Sequence, residues 1–128
     1  SPLKRYQREM IGVITSVANN CAYCQVHHCE ALNHFWKDKD KVELLRKDFE
    51  QAGLNTNDAL LCRYTRKLTE NPSHISRVDA AQLKEAGLSD RAILDATLIV
   101  AYFNFVNRII LGLGVELEDH KGSGFNYA

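Results

Sequence analysis

Proline is scarce in this chain. Only Pro2 and Pro72 occur among 128 residues, so little interrupts a helix. Glycine is also thin in the first half, with Gly12 and Gly53 alone between the two prolines. No run of β-branched residues alternates with a period of two, as a half-buried strand would. These absences leave an all-α reading. A charge surplus is missing too: sixteen Lys and Arg balance sixteen Asp and Glu. A general nucleic-acid binder needs a basic excess, so no nucleic-acid partner is expected. The opening Ser-Pro-Leu-Lys-Arg has no apolar core of a signal peptide, and there is no initiator Met. A processed or truncated chain is therefore expected. The longest apolar stretch, from Ala92 to Val115, carries Asp95, Asn104, Asn107 and Arg108. A bilayer span of about 20 residues carries such groups only at a cost, so no membrane partner is expected.

What is present fits one compact domain. The chain is 45% hydrophobic and 25% charged, an ordinary globular mix. A first helix is expected from a Ser1 cap and Pro2, with Met10, Val13, Ile14 and Val17 as its apolar stripe. Asn19-Asn20 ends it. A second helix carries Cys21-Ala-Tyr-Cys24 and runs to about Trp36. A third is expected over 41–52, stopping at Gly53, and a fourth from Asn55 to about Glu70. Asp79 with Gln82 suggests a capping box for a short helix ending at Gly87. Ser89 or Asp90 caps a last long helix, apolar nearly all round. Residues 113–128 are read as a partly flexible, glycine-rich tail.

Three of the four cysteines, Cys21, Cys24 and Cys29, lie within nine residues; Cys62 stands apart. A secreted disulfide scaffold spreads its cysteines to staple distant segments. Clustered thiols in a chain with its own core point instead to redox or metal chemistry in a reducing, cytoplasmic setting. On a helix Cys21, Cys24 and His28 share one face, which continues through Leu32 and Phe35. The sulfurs then sit at a helix N-terminus, where unpaired N–H groups and the helix dipole favour a thiolate. His28 lies one turn from Cys24 and can exchange a proton with a thiol. Two thiols at i and i+3 can close a small disulfide. Peroxide reduction needs these parts: a thiolate, a proton carrier and a second thiol that resolves the sulfenic acid. Glu9, twelve residues before Cys21, can return to this cluster if the first two helices fold back on each other. There it would shuttle protons with His28.

Blander readings remain open at this level. Glu9 fits a solvated helix residue, and Cys24 and His28 fit packing residues. His27 and His34 suit surface or capping positions, and Cys29 and Cys62 suit buried small hydrophobes. A sharper rival is a non-catalytic helical oligomeric module with a structural metal. Cys21, Cys24, His28 and a fourth ligand from His27, Cys29 or His34 would hold it. Tetrahedral zinc sites, however, usually draw two ligand pairs from separate segments, and Cys62 has no nearby partner in sequence.

Glu9, then Cys21-Ala-Tyr-Cys24, then His28, resembles the active-site pattern of the AhpD-like alkylhydroperoxidases within the carboxymuconolactone decarboxylase superfamily. Every spacing of that pattern is met. Ile93-Leu-Asp-Ala96 and Ala101-Tyr-Phe-Asn-Phe-Val-Asn-Arg108 look like the peroxidase-related subgroup. The resemblance implies an AhpD-like helical domain with the CxxC at the start of a buried helix. It implies peroxidase activity on hydroperoxides without haem, metal or other cofactor, supplied with electrons by a dithiol or thioredoxin-like donor. Dimers or rings of dimers are implied as well. Cys24 would be the peroxidatic thiol, Cys21 the resolving thiol, and Glu9 with His28 the proton relay. Helix-dipole reasoning instead favours Cys21 as the more acidic thiol. Tyr23 stands where well-known members carry a second His between the cysteines. Members of the subgroup usually carry an extra helical region before the stretch that begins here, so the resemblance too implies a truncated or processed chain. The superfamily's decarboxylase branch lacks the CxxC, which disfavours lactone decarboxylation.

Overall fold

A computed structural model describes residues 1–117 and contains, among them, six α-helices and two 3₁₀ turns and no strand. The helices are α1 (Arg5–Ala18), α2 (Ala22–Trp36), α3 (Lys39–Lys47), α4 (Thr56–Glu70), α5 (Arg77–Glu85) and α6 (Asp90–Leu113). The expected tail falls mostly at 118–128, outside the described residues.

α1 is the centre of the bundle, packed on α2, α4 and α6. Its residues 10–16 are therefore buried all round rather than along one stripe, while Val17, expected inside, is exposed. Thr15 and Ser16 are fully enclosed because their hydroxyls donate to the carbonyls of Ile11 and Gly12 one turn back. At the outer end, Tyr6 and Gln7 donate to the buried Asp58 carboxylate of α4, each at 2.9 Å. Burial and that carboxylate push the Tyr6 phenol up to about 12.

Several helix ends depart from the sequence reading, each because a side chain finds another partner. α1 starts at Arg5, where the Gln7 side chain accepts the Lys4 N–H, because the Ser1 hydroxyl donates to Asp95 of α6. The expected third helix is broken at Asp48, whose extended backbone and side-chain bond to Glu50 N–H start a 3₁₀ turn. The capping box of α5 is Ser76 with Asp79, three residues earlier than expected, and Asp79 also holds Lys67 of α4. α2, α4 and the Ser89 cap of α6 lie as expected. α6 runs past Gly112 to a left-handed Gly114.

α6 buries Ala92, Ala96 and Val100 against the bundle and exposes Leu94, Leu98, Tyr102, Phe105 and Ile109. By length and composition it is the one described helix apolar enough to cross a membrane. Three of its polar side chains bond to groups elsewhere in the bundle, although the buried Asn107 Nδ2 is left without a partner among the described residues. Asp95 accepts from Ser1 and Arg91, and Asn104 and Asn107 accept from Asn19 at the end of α1.

Candidate functional site

The site is built on the α1–α2 hairpin. α1 ends at Asn19, and Asn20 takes a left-handed φ of 53°, a conformation Asn tolerates better than most residues. That tight turn lets Cys21 N–H donate to Ser16 O at 2.9 Å and makes Cys21 the N-cap of α2. The Cys21 sulfur accepts the Cys24 N–H at 3.4 Å. One turn of helix brings the two Cα atoms to 5.3 Å, and Cys21 and Cys24 are disulfide-bonded.

The antiparallel return sets α2 against the first turns of α1. The Glu9 carboxylate meets His28 Nδ1 at 2.9 Å. An ionised carboxylate only accepts, so Nδ1 carries the hydrogen and Nε2 is left as the basic nitrogen. The Phe103 ring of α6 packs edge-on against the imidazole, with centroids 4.4 Å apart. On the opposing helix sits Gly12. A Cβ there would lie 2.5 Å from His28 Nδ1 and 2.7 Å from Cγ and Cε1. The imidazole thus rests on bare α1 backbone. A glycine inside a helix usually weakens it, and that local cost is the one signal in the sequence that marked this position.

Exposure falls steadily inward. The Glu9 side chain is 27% exposed and His28 15%. Cys24 is 4% exposed and Cys21 is fully enclosed. A groove of about 580 Å³ reaches this series at its outer end, with Glu9 and Phe103 in its lining and neither cysteine.

The other candidates lie elsewhere. Tyr23 and His27 pack edge-on, centroids 4.3 Å apart, and His34 packs against Phe35. Cys62 is enclosed in the core, and burial raises its thiol strongly. Cys29, expected to be buried, is half-buried beside Glu43 and Arg46, with its thiol pushed up to about 11 by burial. Among the described residues no three His, Cys, Asp or Glu side chains converge as a metal-binding set. Cys21, Cys24 and His28 share a helix face without forming one.

Residues 1–55 match the carboxymuconolactone decarboxylase family. Among solved structures the chain is similar to a peroxidase-related protein from Silicibacter sp. TM1040, at 28% identity and a TM-score of 0.91. That match covers 98% of this chain and 66% of the other. It is similar also to an AhpD-core, peroxidase-related protein from Ralstonia eutropha JMP134, at 26% identity and a TM-score of 0.89, covering 95% and 64%. The debrominase Bmp8, 18% identical with a TM-score of 0.81 over 93% of this chain and 63% of its own, shares the fold. No curated protein matches. The chain thus spans just under two thirds of the first two structures, and the all-α, AhpD-like fold is common to them.

Proposed function

Because the chain belongs to the carboxymuconolactone decarboxylase superfamily, on its AhpD-like side, we propose that it is a thiol-dependent peroxidase that reduces hydroperoxides. The observation that carries this reading is the Glu9–His28 hydrogen bond one helical turn from a bonded cysteine pair. In the reduced enzyme the Cys24 thiolate attacks the outer oxygen of the hydroperoxide. An S–O bond forms, the O–O bond breaks, and the leaving alkoxide takes a proton from the His28 imidazolium. Cys21 then attacks the Cys24 sulfenic acid, closing the disulfide and releasing water. Two thiols and one hydroperoxide thus yield a disulfide, an alcohol and water. A dithiol or thioredoxin-like donor restores the thiols by exchange.

Cys24 is given the attacking role because it is the less enclosed of the two residues and lies one turn from His28. Cys21, fully enclosed at the N-cap, suits the resolving role. One equivalent of hydroperoxide should convert the reduced protein to the Cys21–Cys24 disulfide, read by mass spectrometry as a two-proton loss confined to that peptide. Cys21→Ser should instead leave Cys24 as a sulfenic acid trapped by dimedone. Over-oxidised Cys24 with Cys21 still free in the unmodified chain would remove the resolving role.

We further propose a homo-oligomer, a dimer or a ring of dimers, in a cytoplasmic setting. Leu94, Leu98, Phe105 and Ile109 form an exposed apolar stripe on α6, and contiguous apolar patches mark association surfaces. Light scattering at micromolar concentration should return a multiple of the chain mass; a monomer would overturn this.

A further inference from the structure

Asn107 of α6 is fully enclosed, yet its Nδ2 has no hydrogen-bond partner among the described residues. Its neighbours fix which way that amide points. The Arg108 guanidinium, which can only donate, bonds Asn104 Oδ1 at 2.8 Å. The atom that Asn19 presents to the same oxygen, at 2.9 Å, is therefore its Nδ2. That Nδ2 also reaches Asn107 at 3.1 Å, so the Asn107 atom facing it is the accepting Oδ1. A flipped Asn107 would set two amide nitrogens against each other. The orphan is thus a donor. An unpaired buried donor is costly and rare, and a leucine would fill the same space without that cost.

The packing brings this donor to the level of the cysteines. α6 runs beside α1 in the same direction, since Ser1 meets Asp95 at one end and Asn19 meets Asn107 at the other. α2 returns antiparallel to α1, and its His28 touches Phe103 of α6. One turn on along α6 is Asn107, on the face of Phe103; one turn back along α2 is Cys24, on the face of His28. Because the two helices run oppositely, both steps of about 6 Å lead the same way. Asn19, which bonds Asn107, is also only two residues from Cys21.

We propose that Asn107 Nδ2 donates a hydrogen bond to the Cys24 thiolate once the Cys21–Cys24 bond is reduced. A sulfur tied in a disulfide is a weak acceptor, whereas a thiolate is charged and a strong one. The donor stands unpaired in the oxidised protein and gains its partner on reduction. No proton is transferred: the bond stabilises the anion, lowers the Cys24 thiol and favours the reduced pair. The ionisable side chains that flank the pair are engaged elsewhere, Glu9 with His28 and Arg108 with Asn104. For the attack by Cys24 this inference rests on the peroxidase reading above; for the hydrogen bond itself it does not.

Asn107→Leu tests it. Asn104→Leu is the control, because it removes an Asn19 contact and no orphan donor. In the reduced protein the NMR resonance of Cys24 Cβ follows the ionisation of that thiol with pH. Asn107→Leu should raise its midpoint by about 1–2 units, the shift expected when a charged group loses a hydrogen bond. In dithiothreitol buffers above the parent midpoint, the Cys21–Cys24 equilibrium should move about 10-fold toward the disulfide. Asn104→Leu should change neither. In the unmodified reduced chain the Asn107 side-chain amide resonance should titrate with the midpoint of Cys24, a measurement that needs no variant to fold. An unchanged midpoint and equilibrium in folded Asn107→Leu, an equal shift in Asn104→Leu, or an amide that does not follow Cys24 overturns the inference. Below the raised midpoint, cumene hydroperoxide should oxidise the reduced pair about 10-fold more slowly in Asn107→Leu, as thiolate is lost. Oxidation at the parent rate with both shifts missing overturns the inference and keeps the peroxidase reading. No oxidation by hydroperoxide in any of these proteins, with both shifts present, overturns the peroxidase reading and keeps the donor.

Discussion

His28→Ala and Glu9→Gln should each slow hydroperoxide turnover by about 10²–10⁴, the usual cost of losing a positioned general base. The two side chains meet at 2.9 Å and form the outer part of the series that ends at the enclosed sulfurs. His28 would hold the proton taken from the thiol and deliver it to the leaving oxygen. Glu9 would hold the hydrogen on Nδ1 and stabilise the imidazolium when it forms. Because both would serve one relay, the double variant should lose much less than the product of the single losses. Glu9→Gln keeps an oxygen that can accept from Nδ1 but removes the charge. A near-normal rate in Glu9→Gln would therefore assign Glu9 to orienting the ring alone. A near-normal rate in His28→Ala would remove His28 from the mechanism, and fully multiplicative losses would make the two independent. Unchanged helix content in each variant separates these effects from unfolding.

Gly12→Ala should be damaging although alanine is the better helix former by about 1 kcal/mol. The new methyl would sit within 2.7 Å of three atoms of the His28 ring, including Cγ. Cγ lies at the root of the side chain, so a small rotation about the outer bonds does not relieve the contact. Either α2 moves away from α1 or the imidazole leaves Glu9. Overpacking of this kind costs about 1–3 kcal/mol, which outweighs the gain in helix propensity. Displacing a proton carrier by about 1 Å costs on the order of 10²-fold in rate. Denaturant unfolding should show the loss of stability, and turnover should fall more than in any substitution on the exposed face of α1. A variant as stable and as active as the parent would mean that His28 does not need its seat on the α1 backbone.

The local parts of this fold were readable from sequence because their causes are local. α2 and α4 end where Lys37 and Asn71 end them, and Ser89 caps α6 with its own hydroxyl. Helical spacing also put Cys21, Cys24 and His28 on one face without reference to any other segment. The misplaced ends share a different cause. Ser1 does not cap α1, since its hydroxyl reaches Asp95, 94 residues away in the chain. Asp79 does not open α5, since it accepts the Ser76 N–H as the third residue of the first turn and also holds Lys67 of α4. The apolar stripe of α1 was legible, but not that three other helices enclose residues 10–16 from every side.

The sequence by itself determined an all-α chain with a cysteine pair at the head of a helix and a histidine one turn on. Periodicity, caps and i, i+3 spacing act within a few residues and need no partner. Only the tertiary structure decided that Glu9 reaches His28, that Gly12 makes room for the imidazole, and that a groove with two arginines opens at the outer end. Those features depend on the angle and separation at which α1, α2 and α6 pack. That geometry comes from the summed fit of the whole core, which no single stretch of sequence contains.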